Sequence, residues 1–125
     1  MSTLLESNYV VGELKFHIYD DDTAMCTGLK SGSEQLIITI PEKITYLEKD
    51  YEVTDIGDNA FKNESITEVI LSGNIVRIGT MAFKSCLNLT KINLPQGLLY
   101  IDSSAFEDCC LIENISFPTT LLSIG

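Results

Sequence analysis

Ile56-Gly57-Asp58-Asn59-Ala60-Phe61 returns as Ile78-Gly79-Thr80-Met81-Ala82-Phe83 and again as Ile101-Asp102-Ser103-Ser104-Ala105-Phe106, and Ile124-Gly125 opens a fourth copy. The leading isoleucines stand 22, 23 and 23 residues apart. A step of this length marks a repeat architecture, in which one unit cannot bury its own apolar face and stacked neighbours share a core. A second repeated unit runs between the blocks: Ile66-Thr67-Glu68-Val69-Ile70-Leu71, Leu89-Thr90-Lys91-Ile92-Asn93-Leu94 and Ile112-Glu113-Asn114-Ile115-Ser116-Phe117. Each reads as a short strand, and Pro95 and Pro118 supply a turn signal behind the last two. By the two-residue period of a strand, Val69, Leu71, Ile92, Leu94, Ile115 and Phe117 face the core, while Glu68, Ile70, Lys91, Asn93, Asn114 and Ser116 face outward.

The first step is one residue short, and the missing residue is in the turn between Phe61 and Ile66, because the same span is longer in the next two copies. Turns absorb such changes; a strand slipped by one residue would exchange its buried and exposed faces.

Ile-Gly-x-x-Ala-Phe-x-x-Cys followed by Leu-x-x-Ile-x-Leu-Pro resembles the BspA-like, or treponemal-type, leucine-rich repeat. The resemblance spans residues 56 to 125 in clear copies. Leu36-Ile37-Ile38-Thr39-Ile40-Pro41 looks like the strand of an earlier, diverged copy, which adds Ile37 and Thr39 to the outward row. Upstream, Leu14 to Tyr19 and Thr23 to Gly28 read as the arms of a hairpin turning at Asp20-Asp21-Asp22. The expected architecture is an α+β solenoid: a right-handed coil with a parallel sheet on its concave face, short helical or irregular turns opposite, and an N-terminal hairpin cap. Residues 1–35 are the cap and residues 36–125 the array, with an incomplete last repeat. A cap covers the apolar face and strand edge that a first repeat would otherwise expose.

Candidate chemistry is sparse. Cys86 and Cys109 occupy equivalent slots three residues after Phe83 and Phe106, so they should stack one coil apart as small buried apolar groups, since two thiols do not complete a zinc site. Cys110 falls in the slot of Leu87, and Cys26 lies in the cap. The Asp20-Asp21-Asp22 run lacks the spaced ligands, glycine and terminal glutamate of a calcium loop and reads as a solvated turn. His17, the single histidine, is assigned a structural or surface role. No nucleophile-elbow or phosphate-cradling glycine motif occurs, so no catalytic residue, cofactor or metal is expected. The sequons at Asn63, Asn88 and Asn114 are not one repeated position, because two sit in turns and one in a strand.

Eighteen acidic residues against eight basic ones leave a net charge of −10, which argues against nucleic acid and anionic lipid as partners. No apolar run is long enough for a membrane span, and Met1 to Glu6 lacks a basic stretch leading into an apolar one, so no export signal is read. What remains is the outward row Ile37, Thr39, Glu68, Ile70, Lys91, Asn93, Asn114 and Ser116. Its mixture of apolar, charged and amide groups suits protein recognition. The resemblance implies a surface or secreted protein adhering to extracellular-matrix or cell-surface proteins. The rival is a parallel β-helix protein that binds or cleaves carbohydrate; cleavage requires paired carboxylates, which the strands do not place. Finally, Leu121 to Gly125 begins a repeat without finishing it, so either the chain is a segment of a longer array or this end is covered by a second copy, and self-association through residues 111 to 125 is expected in the latter case.

Overall fold

The computed structural model describes residues 2–112 and 115–125. Its elements are β1 (Leu4–Val11), β2 (Leu14–Tyr19), β3 (Thr23–Leu29), β4 (Ile37–Thr39), β5 (Lys43–Tyr46), β6 (Lys49–Ile56), β7 (Glu68–Ile70), β8 (Arg77–Ile78), β9 (Lys91–Ile92), β10 (Tyr100–Ile101) and β11 (Ser123–Ile124). They form two sheets. The larger runs β1-β2-β3-β6-β8-β10-β11, with β5 paired antiparallel to β6; the smaller runs β4-β7-β9. Strands from β3 to β11 in the larger sheet, and all of the smaller one, are parallel. The chain therefore visits the larger sheet and the smaller sheet alternately, one visit to each per coil.

The expected hairpin is β2 and β3, antiparallel, with Ile18 and Ala24 opposite each other beside the Asp20-Asp21-Asp22 turn. It is joined by β1, which sequence reading did not assign as a strand of its own. Within β2 the burial alternates strictly, with Leu14, Phe16 and Ile18 inside. Gly28, at φ +135°, lets β3 pass so close to the Ala60 turn that a Cβ would stand 2.3 Å from the Ala60 carbonyl oxygen. Cap and repeats share one continuous core, from Leu14 and Phe16 through Val53, Ile56 and Ile78 to Ile101 and Ala105.

Helix is absent among the described residues, which corrects the expected α+β class to a β solenoid with irregular turns. The reason is visible in the Ala-Phe turns. Phe61 N donates to Ala82 O at 2.7 Å and Asn63 N to Lys84 O at 2.9 Å, each one coil ahead, while the intervening Lys62 N and Glu64 N bond back within the turn. The next coil repeats the pattern from Met81, Phe83 and Ser85. Alternate N–H groups of the turn thus serve the neighbouring coil and the others reach only three residues back, so the i to i−4 ladder of an α-helix is never laid down. The turn bends through left-handed residues in matching slots: Asn59, Met81 and Ser104, then Asn63, Ser85 and Asp108, with φ between 58° and 63°. Gly79 lies where a Cβ would come within 2.7 Å of Asp58 N, so the repeated Ile-Gly pair reflects coil-to-coil closeness.

Core assignments follow the expected register. Ile78 and Phe83 are fully buried and Ile101 nearly so; Ile92, Leu94 and Phe106 are partly buried against the same core. Phe61, Phe83 and Phe106 stack face to face at 5.4 and 5.5 Å, within 6° of parallel. At the C-terminal end the structure departs from expectation: residues 115 to 117 form no strand, and Phe117 is 51% exposed. Glu113 and Asn114, expected in that strand, lie outside the described residues.

Candidate binding surface

The smaller sheet carries the outward row. Its register sets Ile37 beside Glu68 and Glu68 beside Lys91, with Thr39 beside Ile70. Between them Ile38 and Val69 point inward and are buried, so the alternation places Ile37, Thr39, Ile70 and Lys91 at the surface and Glu68 half-buried. Ser116 is exposed but belongs to no strand, and Asn114 lies outside the described residues.

Asn93 is not the free amide that its outward position suggests. Its Oδ1 accepts from Leu71 N at 2.7 Å and its Nδ2 donates to Leu71 O at 2.9 Å. Strand β9 stops at Ile92, and the Asn93 side chain takes over the pairing with the neighbouring coil. Its amide is spent on the fold, because a side-chain amide can offer the same donor and acceptor as a peptide group. Alternation alone gave no sign of this.

Beside β4 lies a cleft of about 310 Å³, bounded on one side by Ile37, Thr39 and Pro41 and on the other by the β1–β2 turn, Val11 to Leu14. In it, Glu13 Oε2 is buried without a hydrogen-bond partner, although Lys30 Nζ stands 3.4 Å away.

The larger sheet has an outward feature that sequence reading missed. Arg77 Nε donates to Asp102 at 2.8 Å and its Nη2 to Asp58 at 2.8 Å, with Asp55 3.7 Å from Nη1. One guanidinium thus ties carboxylates of the coil before it, Asp55 and Asp58, to that of the coil after it, Asp102. The available signal was the residue preceding each leading isoleucine: Asp55, Arg77, Tyr100 and Ser123 recur at the repeat spacing and stand side by side in this sheet.

Cys86 and Cys109 stack as anticipated, with Cys86 Sγ bonding Phe61 O at 3.0 Å and Cys109 Sγ bonding Phe83 O at 2.9 Å. The hydrogen-bonded Cys109 thiol, together with burial, holds the Cys86 thiol well above the usual range. Burial pushes the Cys26 thiol up to about 12. Such thiols are held protonated, and only the thiolate is a nucleophile or metal ligand. His17 Nδ1 accepts from Asn8 N at 3.1 Å, which gives it a structural part in the cap.

The stacked coils, their 22- or 23-residue step and the repeated Phe and Cys slots define a leucine-rich-repeat protein. Residues 54–125 match the family model described as the BspA type leucine rich repeat region, in six copies, and the chain belongs to that family. Among solved structures it is similar to a leucine-rich repeat protein from Bacteroides capillosus ATCC 29799, at 32% identity and TM-score 0.89, over 96% of this chain and 88% of that one. A leucine-rich repeat protein from Bacteroides ovatus ATCC 8483 shares 28% identity at TM-score 0.85 over 91% of this chain. A leucine rich cell surface protein from Faecalibacterium prausnitzii A2-165 shares 28% at TM-score 0.76 over 90%. This chain spans only 30% and 29% of those last two. No curated protein matches it.

Proposed function

We propose that the protein is a non-catalytic adhesion module that holds a macromolecular partner, an extracellular-matrix or cell-surface protein, against the outward face of the smaller sheet. The observation that carries this reading is the exposed pairing of apolar and charged side chains in one register: Ile37 (54% exposed) and Ile70 (42%) beside Glu68 and Lys91. Apolar anchors ringed by polar groups are the usual composition of a recognition surface. The rigid backbone beneath fixes their spacing, so little ordering entropy is lost on binding. A location at the cell surface fits the description of the Faecalibacterium relative.

The test is a binding panel of immobilised matrix proteins and glycans, repeated with Ile70→Ser/Lys91→Ala. The expected result is retention by a matrix protein, weakened at least about ten-fold by the double variant with unchanged thermal stability. Binding that survives this change but is lost in Lys84→Ala/Asn88→Ala, on the turn side, would overturn the sheet-face reading. A glycan retained in place of any protein would favour the carbohydrate-binding alternative. Sedimentation at matched concentrations separates partner binding from self-association through residues 111–125, where Phe117 and Leu122 are exposed.

A further inference from the structure

The N-terminal cap covers the first array strand of one sheet and carries that sheet's edge out to β1, and it leaves the first strand of the other sheet uncovered. In the larger sheet, β3 pairs with β6 and continues the hydrogen-bonding ladder through β2 to β1. In the smaller sheet, β4 pairs with β7 on one side and, among the described residues, with no strand on the other. The hydrogen bonds show which backbone groups this leaves over. Leu36 O accepts from Thr67 N at 2.7 Å and Ile40 N donates to Ile70 O at 2.9 Å, so the even-numbered residues turn their backbone groups toward β7. In an extended chain the odd-numbered ones, Ile37 and Thr39, then turn theirs to the free edge.

That edge opens onto the cleft of about 310 Å³ whose far wall is the β1–β2 turn. Its walls are largely apolar, through Val11, Leu14, Ile37 and Pro41, and among the described side chains Glu13 Oε2 is the one buried polar atom without a hydrogen bond. Acidic side chains also stand at both ends of β4, at Glu34 and Glu42, on a chain of net charge −10, and no basic residue lines the cleft among the described residues, Lys30 reaching it only as the ion-pair partner of Glu13.

We propose that the free edge of β4 takes an extended segment of a partner polypeptide by strand addition. That segment pairs its backbone with Ile37 and Thr39, sets alternate apolar residues into the cleft and brings a basic side chain to Glu13. Main-chain pairing supplies affinity in this mode, and the pockets for alternate side chains supply selectivity. The positive charge of the occupant follows from complementarity, since an acidic segment would meet Glu13, Glu34 and Glu42 with like charge. The proposal rests on the reading of the smaller sheet as the protein-binding side and assigns it a mode, edge pairing.

The probe is an octapeptide of alternating lysine and valine, with two controls: the same peptide N-methylated at every second residue, and an alternating glutamate and valine peptide. Amide hydrogen exchange of the full chain is followed residue by residue. The expected result is that the lysine peptide slows exchange at Ile37 and Thr39 and leaves Ile40, already bonded to Ile70, unchanged. Both controls and Thr39→Pro should weaken binding at least about ten-fold, since each removes an edge hydrogen bond or reverses the charge. Proline at 39 costs no bond to β7, and retained protection at Ile40 certifies the fold of the variant. The N-methylated peptide tests the same point with the protein untouched.

The proposal is overturned if the lysine peptide protects neither amide, or if the N-methylated or glutamate peptide binds equally well. Protection that grows with protein concentration in the absence of peptide would assign the edge to a second copy and overturn it too. Ile70→Ser/Lys91→Ala should weaken matrix binding through the face at least about ten-fold while sparing peptide protection at Ile37 and Thr39. Failure of the face reading and failure of the edge reading are thereby distinguishable.

Discussion

The two sheets of this solenoid are built by the same repeat and are nevertheless held by different means. The larger runs unbroken from the cap through the last described coil and carries on its outer face one arginine tied to carboxylates of the coils before and after its own. The smaller has three short strands among the described residues, ends at an edge unpaired among them, and relies beyond β9 on a side-chain amide bonded to the preceding coil's backbone. Capping is therefore a property of each sheet and not of the solenoid as a whole. The array's own first strand is paired where the hairpin joins it, the sheet edge passing to β1, and is left available where the hairpin only arches over.

This contrast is sharpened by three substitutions. Phe83 lies in the shared core between two parallel rings, so Phe83→Ala should destabilise by about 3–5 kcal/mol in chemical unfolding, and both sheets should lose exchange protection together. A loss below about 1 kcal/mol would mean that the coils do not depend on a common stack. Asn93→Ala leaves Leu71 N and O without their partner and should cost about 1–3 kcal/mol, with lost protection concentrated in the smaller sheet. Unchanged stability would show that water replaces the amide there. Arg77→Met acts on the larger sheet; because that side chain is 30% exposed and its ion pairs are screened, the cost should stay below about 1 kcal/mol and shrink further in high salt. An effect larger than that of Asn93→Ala would reverse the ranking of the two devices.

The repeat and its core were legible because Ile, Phe and Leu return in register over three copies, which no local accident produces. The hairpin arms and β4 were legible by strand alternation. The larger sheet's share of each repeat was not: Arg77–Ile78 and Tyr100–Ile101 are two-residue strands, too short for any period to show, and their pairing comes only from stacking. The β5–β6 hairpin escaped for another reason. Its turn, Leu47-Glu48, takes φ values of 49° and 67°, a conformation normally signalled by Asn or Gly. The turns around Ala-Phe stayed open between helical and irregular for a like reason, since Met81 takes a left-handed φ of 58° in the slot that Asn59 fills one coil earlier. In the outward row the positions of Ile37, Thr39, Glu68, Ile70 and Lys91 were readable from alternation. The engagement of Asn93 was not, because it depends on where the neighbouring strand ends.

The turn hydrogen bonds that run from each coil to the next, such as Phe61 N to Ala82 O and Phe83 N to Ala105 O, lie along the direction in which coils are stacked. A tensile force drawn through the chain therefore peels these bonds a coil at a time and does not shear all of them at once. Each coil that lets go frees 22 or 23 residues, roughly 75–80 Å of slack. An anchored module of this construction yields to drag in discrete lengths, dissipating work at every step while the coils behind it remain folded.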